Sequence, residues 1–488
     1  MVLARKIAYN VVLNSFLKVF STVVLSLLSI RLITGYLGQD GFGKYATVLA
    51  FFAFFSSFID LGLGSVTARE ISREGADERK ILGNVFALRL VASLALFLIA
   101  PILIFFFHYP LDIEIGIIVA AVATFFSTIS FLLNGIFQKN LAMDKVAMVE
   151  FLGKLFQVGL IAVIVKSHLG FLSLVSTLLV SLSFNALASF YLSRRFVKFS
   201  LQFDFAFWKD FLRESFPMGI TAIITFSYFK MDTILLSVMQ SHAHVGIYNV
   251  AYKIMENLIF FPAMLAGLIL PLLSRFIFTD RNQFEEIANK TFKVFYTIVI
   301  PIVVGTWFLA GDIIRIVSGA GFDASANVLR ILIFALAFIF FGNYFNMLLV
   351  VGNAQKKLMQ TLFFAALFNI TLNFFLIPKY SYLGAAGTSL ATEMLVVIMT
   401  CYLVRKHLKY TPSFEKFGRT LLSGLIMAAV LYVSAPLSFF LAGALGMASY
   451  AGMLWLTHAI NQQEIRSLFQ KESKASLAEV DRMETFVP

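Results

Sequence analysis

The sequence predicts an all-α protein that crosses a membrane about 14 times. Three observations carry this prediction: the composition, the recurrence of long apolar stretches, and the one-sided distribution of basic residues. Of the 488 residues, 59% are hydrophobic and 14% are charged. A typical soluble domain is about 45–50% apolar and about 25% charged. We therefore expect the lipid bilayer, rather than water, to surround most of the chain.

Fourteen stretches are apolar enough to cross a bilayer, since a transmembrane helix needs about 20 mostly apolar residues. In order, they are residues 11–34, 43–66, 81–107, 113–137, 146–165, 170–193, 215–238, 246–272, 291–311, 326–351, 358–377, 383–404, 418–435 and 437–459. The last two share a tight turn at Ala435-Pro436, so a count of 12 or 13 spans also remains open. Transmembrane strands, which are about 10 residues long with alternating polarity, do not fit these stretches.

The basic residues test this map, because Lys and Arg accumulate in the cytoplasmic loops of membrane proteins. With the N-terminus placed in the cytoplasm, the loops and tails on that side hold 27 of the 39 Lys and Arg residues. The loops on the other side hold five, and the remaining seven lie inside the spans. So uneven a division across alternating loops supports the map and predicts that both termini are cytoplasmic.

The chain also contains an internal repeat. The sequence GKYATVLAFF, which begins at Gly43, resembles GIYNVAYKIM, which begins at Gly246, and NGIFQKNLAMDK (134–145) aligns with NMLLVVGNAQKK (346–357). Each copy holds six predicted spans, an even number, so both copies have the same orientation in the membrane. We therefore predict two six-helix lobes in a parallel repeat, related by a pseudo-two-fold axis along the membrane normal.

This repeat divides the chain into five parts. The predicted parts are an N-terminal six-helix lobe (1–193), a cytoplasmic amphipathic connector (194–214), a C-terminal six-helix lobe (215–404), two additional helices (405–460) and a cytoplasmic tail (461–488). The connector mixes basic residues with Phe and Trp, which is typical of a helix that lies in the membrane interface.

Several function classes are excluded by what the chain contains. Its single cysteine, Cys401, cannot form an intrachain disulfide or a cysteine metal cluster, and its six histidines are scattered. The net charge of +12 is attributed to cytoplasmic loops and not to nucleic-acid binding. Residues 38–45, GQDGFGKY, match a phosphate-binding loop except at Tyr45, but a predicted membrane span precedes them in place of a buried strand. The loops are too short for a soluble catalytic domain, so we predict no catalytic residues, no metal site and no enzyme.

Twelve ionisable residues, seven basic and five acidic, lie inside the predicted spans. Each costs about 2.5–3.5 kcal/mol at the centre of a membrane helix, so most of them must face a bundle interior or a hydrated cavity. Helical periodicity groups them with Ser, Thr, Asn and Tyr into polar stripes. We therefore predict a central hydrophilic cavity between the two lobes.

The cavity candidates fall into two sets. The predicted substrate-binding side chains are Lys18, Thr22, Ser26, Arg89, Lys154, Tyr228, Asn249, Lys253 and Asn257. The candidates for a coupling Na⁺ or H⁺ are the carboxylates Asp60, Glu150, Asp232, Glu256 and Glu393. Structural ion pairs, Glu150–Lys154 and Lys253–Glu256, are an alternative interpretation of two of these spacings.

Three passages carry a resemblance to a known family. They are RLITGYLGQDGFGKYATVLAFFAFFSSFIDLGLGSVTAREIS (31–72), MDTILLSVMQSHAHVGIYNVAYKI (231–254) and FNITLNFFLIPKYSYLGAAGTSLATEML (368–395). These passages resemble the polysaccharide-biosynthesis flippases of the Wzx type. That superfamily also contains the multidrug/toxin-extrusion (MATE) antiporters and the lipid II flippase.

The resemblance implies a MATE-like, V-shaped pair of lobes that works by alternating access. It implies a flippase in the bacterial inner membrane, which moves undecaprenyl-pyrophosphate-linked oligosaccharide repeat units from the cytoplasmic to the outer leaflet for O-antigen, capsule or exopolysaccharide synthesis. The implied partners are the lipid-linked oligosaccharide, membrane lipids, a polysaccharide polymerase and a chain-length regulator. No cofactor is expected beyond a coupling Na⁺ or H⁺. A cationic cavity suits the pyrophosphate, which is the obligatory anion of such a substrate.

Two other functions remain open. A cation-coupled multidrug antiporter of the same fold favours an acidic, aromatic cavity, whereas the charges inside these spans are mostly basic. A membrane-embedded polymerase or glycosyltransferase needs a large outer loop with polar catalytic groups. The longest predicted outer loop, about 312–325, is too short for that role.

Overall fold

The computed structural model describes residues 20–459, and this part of the chain folds into 13 α-helices without a β-strand. A π-helical turn, Phe20–Leu25, precedes the first of them. The helices are α1 (Ser26–Asp60), α2 (Leu63–Ile71), α3 (Glu78–Phe105), α4 (Leu111–Lys139), α5 (Met143–Lys166), α6 (Phe171–Ser193), α7 (Phe205–Met239), α8 (His242–Phe276), α9 (Arg281–Ser318), α10 (Ser325–Val351), α11 (Gln355–Leu408), α12 (Phe417–Val433) and α13 (Phe439–Leu456). Eleven helices in this range have the length and apolar character needed to cross a membrane.

Two of these helices each include parts of two predicted spans: α11 contains 358–377 and 383–404, and α1 contains the end of 11–34 and most of 43–66. α1 is kinked at Gly38, where φ is 66° and ψ is −168°, and α11 is kinked at Ser381, where φ is 51° and ψ is −131°. Within α11, Asn369 Nδ2 donates to Thr392 Oγ1 at 3.3 Å, although a straight helix would hold these residues about 35 Å apart. α11 therefore folds back on itself. The predicted fold class is confirmed, and 14 is a close approximation to the number of spans.

The second predicted span, 43–66, is interrupted within its length. α1 ends at Asp60 and α2 begins at Leu63, with Leu61 at φ 40° and Gly62 at φ 77° between them. A Cβ atom on Gly62 would lie 2.5 Å from Met218 Cβ on α7. The break thus needs glycine both for its backbone conformation and for the close approach of α7.

The two lobes pack against each other at the end of the molecule that carries the Gly38 kink, which we call the Gly38 end. There the Tyr109 hydroxyl and Ser237 Oγ lie 2.7 Å apart across the lobe interface. Thr34 Oγ1 donates to the Ser318 carbonyl at 2.9 Å. These contacts close the space between the lobes at this end.

A reciprocal glycine contact lies at the centre of this closure. A Cβ atom on Gly43 would lie 1.7 Å from the carbonyl oxygen of His242, and one on Gly246 would lie 2.2 Å from that of Gln39. His242 precedes Gly246 by four residues, as Gln39 precedes Gly43. The glycines that begin the two sequence repeats therefore face each other across the predicted pseudo-two-fold axis, and only the absence of side chains lets the helices approach so closely.

The connector differs from the prediction of an interfacial helix over 194–214. Residues 197–204 have no regular secondary structure, and α7 begins at Phe205. Asn84 at the start of α3 holds the extended segment: its Oδ1 accepts from the Asp204 backbone N–H at 2.8 Å, and its Nδ2 donates to Gln202 Oε1 at 3.2 Å. The backbone N–H of Phe207 and the ammonium of Lys80, 3.1 Å away, hold the pKa of Asp204 below its usual value.

The first turns of α7 also belong to the N-terminal lobe. Trp208 and Phe211 are buried in one apolar core with Leu63, Leu82 and Leu132 of that lobe. α7 therefore links the lobes: its beginning is fixed in one and its end packs in the other.

The last two helices lie outside the two lobes, as predicted. α12 and α13 pack on each other through Leu431 and Tyr450, and the Tyr450 hydroxyl donates to the Thr297 carbonyl of α9 at 2.8 Å. The predicted tail, 461–488, lies outside the described residues.

Candidate functional site

A cavity of about 670 Å³ lies between the lobes, away from the Gly38 end. Helices α1, α2, α7 and α8 form its walls. The polar side chains that line it are Ser57, Asp60, Ser65, Thr221, Thr225, Lys230, Tyr252 and Glu256, and Phe226 and Phe229 add aromatic surface. Such a site combines an apolar wall with a few directed polar groups, as ligand sites generally do.

Three lysines and one glutamate lie in or near this cavity: Lys230 and Glu256 line it, whereas Lys154 and Lys253 are not among its lining residues. The Nζ of Lys230 lies 2.6 Å from Glu256 Oε1, and the Nζ of Lys253 lies 2.7 Å from Glu256 Oε2. Lys154, on α5 of the N-terminal lobe, donates to Gln157 at 3.1 Å, and its charge repels that of Lys253. We call Lys154, Lys230 and Lys253 the lysine cluster. With Glu256 it carries a net charge of about +2, since one carboxylate faces three ammonium groups.

Lys230 is the cavity residue that the sequence analysis missed. The predicted polar stripe on α7 comprised Thr221, Thr225, Tyr228 and Asp232, and it placed Lys230 on the opposite face. In the structure, the cavity face follows the four-residue spacing Met218, Ala222, Phe226 and Lys230. Thr221 and Thr225 border the same cavity, whereas Tyr228 and Asp232 turn into the C-terminal lobe. An i, i+4 pattern of apolar residues ending in lysine was the available signal.

Arg89 is buried rather than exposed to the cavity. Only 1% of its surface is accessible, and its Nη2 lies 2.5 Å from Asp60 Oδ1. Its Nη1 donates to the Thr128 carbonyl of α4. Asp60 does border the cavity, so in this conformation Arg89 supports the cavity wall through Asp60.

The other predicted binding residues are spread over several environments. Lys18 and the side chain of Thr22 lie outside the described part of the chain. Ser26 is half-buried, Asn257 is buried, and the buried Asn249 accepts a hydrogen bond from Thr233 at 3.1 Å. Among the ion candidates, Glu150 is exposed on α5. Their predicted roles stay predictions.

Two carboxylates lie inside the C-terminal lobe. Asp232 is 2% exposed and accepts hydrogen bonds from Tyr248 (2.9 Å), Ser389 (2.6 Å) and Asn373 (2.6 Å), all neutral donors. Glu393 borders a chamber of about 220 Å³ together with Tyr228. Thr225 and Phe229 border both this chamber and the central cavity, so the two spaces adjoin each other.

Two family models match the chain. The family model described as "Polysaccharide biosynthesis protein" matches residues 3–277, and the model described as "MatE" matches residues 217–375. The second match falls within the C-terminal lobe and the start of α7. The resemblance stated from the sequence is thereby confirmed.

Two curated relatives come from the archaeon Haloferax volcanii. The probable flippase AglR is 27% identical over 210 residues, which cover 42% of this chain and 44% of the relative. The probable low-salt glycan biosynthesis flippase Agl15 is 22% identical over 263 residues, which cover 51% of this chain and 55% of the relative. The chain thus spans about half the length of these relatives. Both are named as probable flippases, and together with the family match they support a transporter rather than an enzyme.

A solved structure of the lipid II flippase MurJ, in an inward closed conformation, shares the fold. It aligns with a TM-score of 0.78 and 18% identity, covering 92% of this chain and 99% of that chain. At this identity the likeness establishes the architecture and not the substrate. Because the model of polysaccharide biosynthesis proteins matches more than half of its residues, the chain belongs to the polysaccharide biosynthesis protein family.

Proposed function

We propose that this protein is a flippase for lipid-linked oligosaccharides and that it works by alternating access between its two lobes. In the finer form of the proposal, the substrate is an undecaprenyl-pyrophosphate-linked repeat unit, carried from the cytoplasmic to the outer leaflet of a bacterial inner membrane. Both termini are cytoplasmic, and the exported unit passes to a polysaccharide polymerase and a chain-length regulator. The family match and the two probable flippases, one of them named for glycan biosynthesis, support a flippase of this general kind.

The lysine cluster is the observation that carries the proposal. A pyrophosphate diester is a compact anion, and lysine is a common partner for phosphate. In the lysine cluster one carboxylate, Glu256, lies among three ammonium groups, so the cluster beside the cavity attracts such an anion. Two charges about 4 Å apart interact by about 4 kcal/mol at an effective dielectric constant of 20, which is enough to select an anionic substrate over a cationic one.

The cluster also links substrate binding to lobe movement. Lys154 belongs to the N-terminal lobe, whereas Lys230 and Lys253 belong to the C-terminal lobe. Their mutual repulsion favours separation of the lobes when the cavity is empty. An anion bound between these lysines removes that repulsion and favours the conformation in which the lobes approach. The anion thus binds one conformation more tightly than the other, and this difference in affinity is what shifts the population.

We further propose that the buried carboxylates of the C-terminal lobe bind the coupling Na⁺ or H⁺. Asp232 is surrounded by neutral donors, and Asn373 Oδ1 is buried without a hydrogen-bond partner among the described residues. Oxygen ligands of this kind suit a hard cation. The chamber beside Glu393 adjoins the central cavity, which gives a cation a short path from the cavity into the lobe.

The rival function is a cation-coupled drug antiporter, which the MatE match over residues 217–375 favours. Such a protein binds cationic drugs, and the positive charge of the lysine cluster opposes that binding. Purified protein in proteoliposomes distinguishes the two functions, because it can be offered either a fluorescent undecaprenyl-pyrophosphate-linked sugar or a cationic dye. We expect transport of the first and not of the second.

The lysine cluster is tested by Lys154→Gln, Lys230→Gln and Lys253→Gln in the same assay. Removing one charge-assisted contact of about 1.5–3 kcal/mol should lower the transport rate roughly 10–100-fold. Lys290→Gln is the matched control, because Lys290 lies exposed on α9 in a surface pair with Glu286. Full transport by all three cluster variants, or transport of the dye alone, would refute the proposal.

A further inference from the structure

A second polar chamber opens from the N-lobe side of the central cavity. It has a volume of about 250 Å³ and lies between α1, α4 and α7. Its lining residues are Ser56, Ser57, Asp60, Ser127, Thr128, Phe131 and Ala222. Ser57, Asp60 and Ala222 also line the central cavity, so the two spaces adjoin each other. We call this space the serine chamber.

Asp60 presents an oriented hydrogen-bond acceptor to the serine chamber. Its Oδ1 takes two hydrogen bonds, from Arg89 Nη2 at 2.5 Å and from the Gly64 backbone N–H at 3.2 Å. Its Oδ2 has no hydrogen-bond partner among the described residues. Because the guanidinium of Arg89 already compensates the charge of Asp60, a metal cation is disfavoured here, and a neutral hydroxyl donor fits better.

Unsatisfied hydroxyls and an aromatic ring complete the chamber. Ser56 Oγ is buried without a hydrogen-bond partner in the described part of the chain, while Ser57 Oγ donates to the Ala53 carbonyl at 3.0 Å and keeps its acceptor sites. The ring of Phe131 is 49% exposed. A Cβ atom on Gly64 would lie 2.1 Å from Phe131 Cε1, so a side chain at position 64 would displace the Phe131 ring from its observed position.

These groups are the ones that recognise a sugar ring. Carboxylate and serine oxygens accept hydrogen bonds from sugar hydroxyls, and an aromatic face packs against the apolar face of a pyranose. The chamber holds several waters at about 30 Å³ each but lies just below the 300–1,000 Å³ typical of drug-sized ligands. Its size therefore matches one sugar unit and not an oligosaccharide chain.

We propose that the serine chamber binds a single sugar ring of the lipid-linked glycan and thereby selects among glycans. This inference rests on the proposed flippase function. The lysine cluster attracts the pyrophosphate that every substrate shares, whereas the serine chamber binds selectively the sugar that distinguishes one substrate from another. Asp60 then acts as a sugar acceptor held in position by Arg89, rather than as the coupling-ion ligand predicted from the sequence.

The test compares two probes on the full-length protein in lipid nanodiscs: undecaprenyl pyrophosphate, and the same lipid carrying one N-acetylglucosamine. The variants are Phe131→Leu and Ser56→Ala, whose residues line the serine chamber but not the central cavity and which leave the Arg89–Asp60 pair in place. We expect each to raise the Kd for the sugar-bearing lipid about tenfold, as the loss of one aromatic contact or hydrogen bond does. The Kd for the bare lipid should stay unchanged.

Phe97→Leu serves as the control, because Phe97 is 45% exposed on α3 and borders a separate apolar groove. Lys230→Gln should weaken binding of both probes. An unchanged Kd for the sugar-bearing lipid in both chamber variants, or equal losses for the two probes, overturns the sugar site while leaving the flippase intact. A wild-type protein that binds neither probe overturns both proposals, and one that binds both probes equally overturns the sugar site alone.

Discussion

At the scale of single residues, the pairing of Arg89 with Asp60 changes the meaning of two predicted charges. Helical periodicity grouped Asp60 with Ser56 and Ser57 on a polar face, but it could not show that α3 brings Arg89 to that carboxylate. Arg89 is enclosed and reaches both Asp60 and the Thr128 carbonyl. The charge of Arg89 thus compensates that of Asp60 within the N-terminal lobe, beside the cavity wall.

Arg89→Met should destabilise the protein strongly. Removing one partner of a buried ion pair leaves the other charge uncompensated, which typically costs about 3–5 kcal/mol. The expected result is a lower midpoint of thermal unfolding in detergent. The double variant Arg89→Met/Asp60→Asn should recover part of the loss, because it removes both charges. A single variant as stable as the wild type would contradict the structural role of the pair.

The lysine cluster shows how far sequence reasoning reaches at this scale. Lys154 and Lys253 could be selected because they share helical faces with polar neighbours, and both lie in the cluster. Lys230 was missed because its neighbours on the cavity face of α7 are apolar, and a polar stripe identifies only faces that are polar throughout. The partners of each charge depend on contacts between helices distant in the sequence, which no local pattern records.

At the scale of secondary-structure elements, the spans were predictable because length and hydropathy decide them, whereas the connector was not. The sequence SLQFDF alternates with a period of two, which is typical of an extended segment, but its aromatic content suggested an interfacial helix. In the structure, Leu201 and Phe203 are exposed, while Gln202 and Asp204 bond to Asn84. Each of the two kinked helices was predicted as parts of two separate spans. In the structure, the kinks at Gly38 and Ser381 mark the divisions between those spans.

Asn84→Ala should release the connector from α3. Asn84 is 0% exposed, and its side chain bonds to both Gln202 and Asp204. Losing these part-buried hydrogen bonds costs about 0.5–1.5 kcal/mol each. We expect faster tryptic cleavage at Lys198 in the folded protein.

The control for this experiment is Asn140→Ala. Asn140 Nδ2 bonds only to the Ile136 carbonyl of its own helix, so its loss should not expose the connector. Equal cleavage rates at Lys198 in the wild type and in Asn84→Ala would show that the connector is held by other contacts.

At the scale of the whole molecule, closure at the Gly38 end depends on the contact between Gly43 and Gly246. Gly43→Ala places a methyl group where the His242 carbonyl lies, so the lobes cannot close there. We expect the population to shift towards conformations separated at the Gly38 end, with loss of transport. The control is Gly159→Ala, because no atom lies within 4 Å of a Cβ at that position.

The shift can be measured by labelling. In a Cys401→Ser background, a cysteine at Thr225 reports access to the central cavity. A membrane-impermeant maleimide added on the Gly38 side should label this cysteine faster in the Gly43→Ala protein than in the wild type or the Gly159→Ala control. Unchanged labelling from that side, together with normal transport, would refute the closing role of the glycine pair.

The reciprocal glycine contact also bears on how such a chain can arise. In a two-fold symmetric homodimer, a residue on the axis meets its own copy, so a single glycine codon creates both halves of the contact. Gly43 and Gly246 stand in that relation within one polypeptide. A six-helix ancestor that formed a two-fold homodimer would have the same glycine contact at its interface. Gene duplication and fusion then needed only a short linker such as residues 197–204. Fusion then allowed the two halves to diverge, while both glycines still had to remain.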